Sequence, residues 1–242
     1  PIVDAGTGHV QRFEALARWQ HPDQGWIDPA RFVAVAELNN LAASLDLAVL
    51  TSALQALPAL RRHAPGVGLS VNVSAQSLLD SGYLRAVTAL LEHPDHRDAA
   101  LTLEITETAF TNNEQTLTAP VAALRALGVE IVLDDFGVGY SSLARLKKFP
   151  IESVKIDRSF IRDVAIDADD AAIVSAVIAM AHNLRLKVVA EGVETMEQIR
   201  FLHERDCDEV QGYLVSRPIA PEQVGEFAVQ RAAGRPGPMA SA

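Results

Sequence analysis

The length, composition and charge of the chain limit the classes of protein to which it can belong. It has 242 residues, 49% of them hydrophobic, which is enough to bury the core of one large domain. A formal net charge of −10 lacks the basic footprint of a nucleic-acid binder, so we expect no polymeric nucleic acid as a partner.

The single cysteine excludes a disulfide framework within the chain and favours a reducing, cytoplasmic location. The sequence has no run of 18 apolar residues, so we expect no membrane segment. The chain begins at Pro1 inside an apparent strand, which suggests a domain of a longer protein. We therefore expect further regulatory domains upstream, and that missing part could anchor the whole protein to a membrane.

Short β-rich segments alternate with amphipathic helices, which is the pattern of an α/β fold with a mostly parallel sheet. Strands are predicted at residues 9–19, 68–74, 100–106, 129–135, 153–157, 187–191 and 209–213. A truncated first strand at residues 1–3 brings the count to eight. The pattern predicts a TIM-like (β/α)8 barrel over residues 1–233 and a disordered tail over residues 234–242.

Two helices are predicted in most detail, and both are interpreted as barrel packing. Asp28 is a plausible N-cap before Pro29 at the first helical position. The buried stripe of this helix should consist of Phe32, Val33 and Ala36. A second helix is predicted at residues 170–186, with an apolar face formed by Ile173, Val174, Val177, Ile178 and Ala181. Residues 94–98 are predicted to form a loop.

Polar side chains stand at or near the carboxyl ends of seven predicted strands. Strand alternation separates Glu104 from the apolar Leu103 and Ile105, and it places Asn72 and Lys155 on polar faces in the same way. The full set is Glu14, Asn72, Glu104, Asp134, Asp135, Lys155, Glu191 and Gln211. Because carboxyl strand ends meet at the mouth of a (β/α)8 barrel, these groups should converge there.

Each of these residues, taken singly, is more often a turn or cap residue than a ligand. Lys155 could also simply pair with Asp157 on the same face. Taken together, charged groups between β-branched neighbours are costly to bury unless they are paired or bind metal. Carboxylate and amide oxygens suit Mg²⁺ or Mn²⁺ better than Zn²⁺. The adjacent Asp134 and Asp135 could hold two ions, as in two-metal phosphoryl displacement.

Seven motifs resemble those of the EAL domain family, the bacterial phosphodiesterases for cyclic-di-GMP. They run in family order over nearly the whole chain: EALARW at 14–19, NVS at 72–74, EITE at 104–107, DDFG at 134–137, KID at 155–157, EGVE at 191–194 and QGY at 211–213. The resemblance implies the EAL variant of the barrel. It also implies hydrolysis of cyclic-di-GMP to linear pGpG by in-line attack of water, assisted by two Mg²⁺ or Mn²⁺ ions.

The resemblance also assigns roles to individual residues. The implied metal ligands are Glu14, Asn72, Glu104, Asp134 and Asp135, and the implied catalytic residues are Lys155 and Glu191. Substrate contacts are implied for Leu16, Arg18, Gln211 and Pro218, and Glu107 should steady the loop after Asp135. A homodimer is implied, with an interface near the loop and helix that follow Asp135, including the stretch around residues 141–149. Ca²⁺, whose coordination is larger and more flexible, should bind and inhibit.

Two departures and two rival functions accompany this interpretation. Val138 stands where many members carry Thr, and the chain starts after the aromatic-Gln pair whose Gln contacts a guanine in the family. One rival is a catalytically silent cyclic-di-GMP receptor, although such proteins usually lose metal ligands that this sequence keeps. The other is a barrel enzyme of unrelated chemistry, which the fold alone would allow but the motif set disfavours.

Overall fold

The computed structural model describes residues 1–96, 99–139, 146 and 149–232. Its main feature is a closed barrel of eight strands, β1 Ile2–Asp4, β2 Val10–Ala15, β5 Gly68–Asn72, β6 Leu101–Thr106, β7 Glu130–Phe136, β8 Ser153–Ile156, β9 Lys187–Ala190 and β10 Glu209–Val210. Around the barrel the strand order is β1-β10-β9-β8-β7-β6-β5-β2. The predicted (β/α)8 barrel is confirmed.

Helices surround the barrel and supply its outer layer. Within the described residues they are α1 Pro29–Leu38, α2 Ala42–His63, α3 Ala75–Leu79, α4 Ser81–Glu92, α5 Glu107–Ala126, α6 Arg158–Arg162, α7 Ala168–Asn183, α8 Met196–His203 and α9 Pro221–Ala232. Asp28 caps α1 with Pro29 in its first turn, as predicted. The predicted tail, residues 234–242, lies outside the described residues.

The barrel is parallel except at β1, which runs antiparallel to both of its neighbours. Val3 pairs with Val10 on one side and with Val210 on the other. The remaining strands pair in parallel, so their carboxyl ends share one end of the barrel. That shared end is the mouth on which the sequence places its polar residues.

The strand predicted at residues 9–19 is divided in the structure. β2 ends at Ala15, where its pairing with β5 stops. The chain then forms a separate hairpin of β3 Trp19–His21 and β4 Gly25–Ile27. The turn between them ends at Gly25, which has a φ of 71°. Apolar residues continue past the break, at Leu16 and Trp19, so the sequence pattern did not reveal it.

Three smaller predictions need correction. Val33 and Ile173 are 36% and 40% exposed, because the buried stripes of α1 and α7 are narrower than the runs of apolar residues suggest. Residues 94–96 form a 3₁₀ turn, Pro94–His96, where a loop was predicted. The other two predicted residues of that loop, 97 and 98, lie outside the described part.

Among the described helices, α2 is long and apolar enough to cross a membrane by length and composition. Its Leu50, Leu54 and Leu57 are buried in the barrel core, and it packs against β5, α3, α4 and α9. Helices in the core of a globular domain often have this length and apolar composition, so these two properties are weak support for a membrane span. Polar residues such as Asp46 interrupt the segment, so it contains no unbroken apolar run of 18 residues.

Candidate active site

Lys155 on β8 lies at the centre of the mouth, and carboxylates enclose its ammonium group. Its Nζ donates to Glu104 Oε2 at 2.7 Å and lies 2.5 Å from Glu191 Oε1. Oxygens of Asp134 and Glu14 lie 3.5 and 3.7 Å from Nζ. Four carboxylates from separate parts of the barrel thus converge on one lysine, as the strand-end pattern predicts.

Asp157 does not join these ion pairs, although it follows Lys155 on the same strand face. Its Oδ1 accepts a hydrogen bond from the backbone N–H of Ser159 at 3.0 Å and caps α6. The simple Lys155–Asp157 pair is therefore replaced by pairs with the mouth carboxylates.

Glu14 on β2 is held by two amide side chains. Its Oε1 accepts from Asn72 Nδ2 at 2.7 Å, and its Oε2 accepts from Gln211 Nε2 at 2.6 Å. Burial acts to raise the pKa of Glu14, but Lys155 and the two amide hydrogen bonds outweigh it and hold the pKa below its usual value. Glu14 is therefore ionised at neutral pH.

Glu104 on β6 is enclosed completely, with a side-chain exposure of 0%. Its Oε1 accepts a short hydrogen bond from the hydroxyl of Ser70 on β5, and its Oε2 accepts from Lys155. Burial raises the pKa of Glu104 to about 7, although Lys155 opposes the shift. Sequence reasoning gave Ser70 no role, and the available signal was its place on the same strand face as Asn72.

Asp134 and Asp135 are adjacent on β7, and regular strand geometry would place them on opposite faces. A register shift between Leu133 and Phe136 breaks that alternation, and Asp135 adopts a left-handed φ of 54°. Oxygens of Asp134, Asp135 and Glu191 consequently lie within 4.8 Å of one another. Irregularities of this kind re-aim side chains beside active sites, and here the irregularity brings both aspartates to one cluster.

The mouth carries more negative charge than Lys155 can balance. Burial raises the pKa of Glu191 to about 8, with Lys155 opposing and Asp134 adding to the shift. Burial, Asp134 and Asp157 likewise raise the pKa of Asp135. The pKa of Lys155 lies well above its ordinary value, because Glu104 and Glu191 outweigh the effect of its burial.

The carboxylates at the mouth form a site that suits a divalent cation. The mouth presents five carboxylates, from Glu14, Glu104, Asp134, Asp135 and Glu191, around one lysine. A cation bound among them would neutralise charge that burial makes costly. The exposed amide of Asn72 adds another oxygen to this set, and oxygen atoms are the ligands that hard divalent cations prefer.

Glu107, at the start of α5, contacts the loop that follows β7. Its Oε2 accepts from the backbone N–H groups of Gly137 and Gly139 at 2.9 and 3.1 Å. A Cβ on Gly139 would lie only 3.0 Å from Glu107 Cδ, so glycine allows this close approach. Glu107 thus contacts the segment that leaves Asp135, and its role in steadying the loop stays a prediction.

The four residues expected to contact substrate lie on segments that leave the mouth end. Leu16 and Arg18 follow β2 and are exposed, and Pro218 is exposed beyond β10. Arg18 Nη1 donates only to the neighbouring carbonyl of Ala17, at 2.9 Å, among the described contacts. Gln211 differs, because it is half-buried and its amide nitrogen already binds Glu14.

Comparison with known proteins shows the family to which the chain belongs. The model of the EAL domain family matches residues 1–218. The cyclic di-GMP phosphodiesterase NbdA of Pseudomonas aeruginosa is 43% identical over 230 residues, which are 94% of this chain and 29% of NbdA. The chain thus spans less than a third of that relative's length.

Solved structures agree in fold. The PaMucR phosphodiesterase in complex with c-di-GMP superposes with a TM-score of 0.85 at 39% identity, covering 93% of this chain and 91% of PaMucR. The EAL domain of Mycobacterium smegmatis DcpA gives a TM-score of 0.78 at 31% identity, covering 97% and 94% of the two chains. Because the family model matches most of the length of this chain, the chain belongs to the EAL domain family.

Proposed function

We propose that this domain hydrolyses cyclic-di-GMP to linear pGpG by metal-assisted, in-line attack of water. The observation that carries the proposal is the cluster of mouth carboxylates around Lys155, which together with Asn72 contains every metal ligand that the family resemblance implies. The phosphodiesterase names of NbdA and PaMucR support the choice of substrate.

Two ions, Mg²⁺ or Mn²⁺, would be held by Glu14, Asn72, Glu104, Asp134 and Asp135. When bound, they would polarise the scissile phosphate and lower the pKa of a water molecule at the mouth. Glu14 is suited to this role because its lowered pKa keeps it ionised. Asp134 and Asp135 are suited because the irregularity in β7 brings their oxygens together.

Glu191 is the proposed base, and its exposure separates it from Glu104. Its side chain is 19% exposed, whereas that of Glu104 is 0% exposed, so water can reach Glu191 alone of the two. Its carboxylate also lies beside the oxygens of Asp134 and Asp135, so a water molecule held there would be within its reach. Glu191 would orient the attacking water and accept its proton.

Lys155 supplies fixed positive charge beside the reacting phosphate. Its ammonium is buried and held by Glu104 and Glu191, so it needs no reorganisation as charge develops in the transition state. Leu16, Arg18, Gln211 and Pro218 are the proposed substrate contacts. Of these, Arg18 offers a guanidinium suited to a phosphate oxygen.

The test is turnover of cyclic-di-GMP by the purified domain with Mg²⁺, Mn²⁺ or Ca²⁺ as the only metal. We expect Mg²⁺ and Mn²⁺ to support hydrolysis, because a strict coordination geometry would fix the position of the attacking oxygen. A small misplacement of that oxygen costs about 100-fold in rate. Ca²⁺ should permit substrate binding and inhibit when added to Mg²⁺, since its longer bonds relax the geometry.

Two outcomes would redirect the proposal. Tight binding of cyclic-di-GMP without turnover in any metal would identify a silent receptor. Equal turnover with Ca²⁺ alone would mean that the carboxylates do not impose the geometry of a two-metal displacement. Other cyclic nucleotides serve as controls for substrate class.

We also propose that the domain acts as a homodimer. Most soluble oligomers are symmetric, so the same surface would be used on both copies. Within the proposed interface around residues 141–149, the structure describes Leu146 and Phe149, which are buried, and the rest lies outside the described part. Light scattering tests this proposal, and a fully active monomer at micromolar concentration would contradict it.

A further inference from the structure

Asp46 lies on α2, outside the barrel, and binds the turn that follows β5. Its Oδ2 accepts from the backbone N–H of Ser74 at 2.8 Å and from the hydroxyl of Ser77 at 2.6 Å. The hydroxyls of Ser74 and Ser77 are themselves 2.8 Å apart. One carboxylate oxygen therefore organises a small polar network between α2 and α3.

This network acts where the chain leaves the barrel. β5 ends at Asn72, and the N–H of Val73 still donates to the carbonyl of Glu104 at 2.9 Å, which continues the ladder. The next N–H, that of Ser74, donates to Asp46 instead. Ser74 is also the N-cap of α3, since its hydroxyl accepts from the N–H of Ser77 at 3.1 Å.

Asn72 depends on this backbone for its position. It is exposed, and the hydrogen bond described for its side chain is the one to Glu14. The sheet holds its backbone on one side through the register with Glu104. Two residues later, Asp46 holds the other side, so a shift of Ser74 would move the amide of Asn72.

We propose that Asp46 is a positioning residue for Asn72, holding this ligand at the mouth through the backbone of Ser74. The inference rests on the proposed metal-dependent function. Mg²⁺ and Mn²⁺ bind best when ligands are already at the required distances, and groups that orient a metal ligand change affinity by about 10- to 100-fold. Asp46 itself does not touch the metal or the substrate.

The experiment titrates Mn²⁺ into the metal-free protein by calorimetry, without substrate. We expect Asp46→Ala to weaken Mn²⁺ binding about tenfold. Asp46→Asn should lose less, because the single oxygen that accepts both bonds is replaced by an amide oxygen of the same reach. We expect Mn²⁺ affinity to be highest in the wild type, lower in Asp46→Asn and lowest in Asp46→Ala.

Asp80 provides a matched control on the neighbouring helix. It caps α4 by accepting from the N–H of Tyr83 at 2.8 Å, and its described contacts do not include Ser74. Asp80→Ala should lower thermal stability while Mn²⁺ affinity stays at the wild-type value. An equal loss of affinity in Asp80→Ala would show that general weakening of α3 and α4 is responsible and would overturn the proposal.

Ser77→Ala covers the case in which Asp46→Ala does not fold by circular dichroism. It removes one of the two bonds to Asp46 and keeps the charge. We expect a smaller loss of Mn²⁺ affinity in this variant, and unchanged affinity in both Ser77→Ala and Asp46→Asn would then overturn the proposal. Failure of the wild type to bind Mn²⁺ would instead count against the proposed function.

Discussion

The two ends of the barrel interior both bury charge, but they balance it differently. At the amino end, Arg12 Nη1 lies 2.7 Å from Glu209 Oε2, and Lys187 Nζ lies 3.8 Å from the other oxygen of Glu209. Gly68 makes room for Arg12, because a Cβ there would lie 3.3 Å from the Arg12 Cβ and 2.8 Å from a backbone oxygen. This end is a closed ion pair between Arg12 and Glu209, flanked by the exposed Lys187.

At the mouth, two residues further along the same strands, five carboxylates surround one lysine. β2 supplies Arg12 to one end and Glu14 to the other, and the chain around β10 supplies Glu209 and Gln211 in the same way. A buried charge that has its own counter-ion belongs to the fold. An excess of like charge is tolerated where a ligand of opposite sign binds.

The sharpest test of this difference removes one carboxylate from each end. Glu14→Ala should lower turnover by more than about 100-fold. Loss of a residue that only orients a metal ligand typically costs up to about 100-fold, and a ligand itself should cost more. The metal-free variant should unfold within about 2–4 °C of the wild type, the equivalent of about 1 kcal/mol, because loss of one like charge at the mouth offsets the lost hydrogen bonds. Steady-state kinetics and calorimetry measure both effects.

Glu209→Gln is the matched variant at the other end. It leaves Arg12 buried without its counter-ion and should cost about 3–5 kcal/mol of stability, with metal affinity unchanged. If Glu14→Ala kept substantial turnover, or if Glu209→Gln lost metal binding while still folded, the division between the two ends would be mistaken.

Glu191→Gln should separate binding from chemistry at the mouth. The substitution keeps the shape of the side chain and removes the base, so turnover should fall at least about 100-fold while cyclic-di-GMP still binds. Single-turnover kinetics and a binding titration make the comparison. Parallel loss of both would reassign Glu191 to substrate holding or structure.

The excess charge also predicts how stability depends on pH. The pKa values of Glu104 and Glu191 are raised to about 7 and about 8, so each binds a proton more tightly in the folded than in the unfolded state. That contribution is present at low pH and is lost as pH rises through these values. The melting temperature of the metal-free protein should therefore fall by at least about 2–4 °C between roughly pH 6 and 9.

Metal should remove this pH dependence, because a bound cation displaces the protons and takes over the neutralisation. Melting curves with saturating Mn²⁺ supply the control, and Glu191→Gln should show a smaller fall than the wild type without metal. A melting temperature that rises over the same range would contradict the charge imbalance at the mouth.

The smallest effect is expected in the loop beside Asp135. Val138 is 61% exposed and lies between the two glycines that bind Glu107, so its side chain contributes little to the loop's position. Val138→Thr should change turnover less than about twofold and stability by less than about 0.5 kcal/mol. A large gain in activity would show that the hydroxyl missing here matters to the loop.

Much of the barrel and most of the mouth could be predicted from the sequence, because both depend on local alternation. In a strand, side chains point to alternate faces, so Glu104 and Lys155 could be placed inside the barrel from their apolar neighbours alone. Buried stripes of helices were harder, as the exposed Val33 and Ile173 show. Packing of neighbouring helices, which the sequence pattern does not contain, decides the width of such a stripe.

The sequence by itself determined the type of barrel, the end at which the polar groups gather and the identity of the acidic cluster. Tertiary structure alone decided how these groups contact one another. The irregularity at Asp135 reverses the alternation that the sequence implies, and Asp46 reaches Ser74 from a helix 28 residues earlier in the chain. Both depend on long-range pairing of strands and helices, whereas a sequence pattern reports only the periodicity of near neighbours.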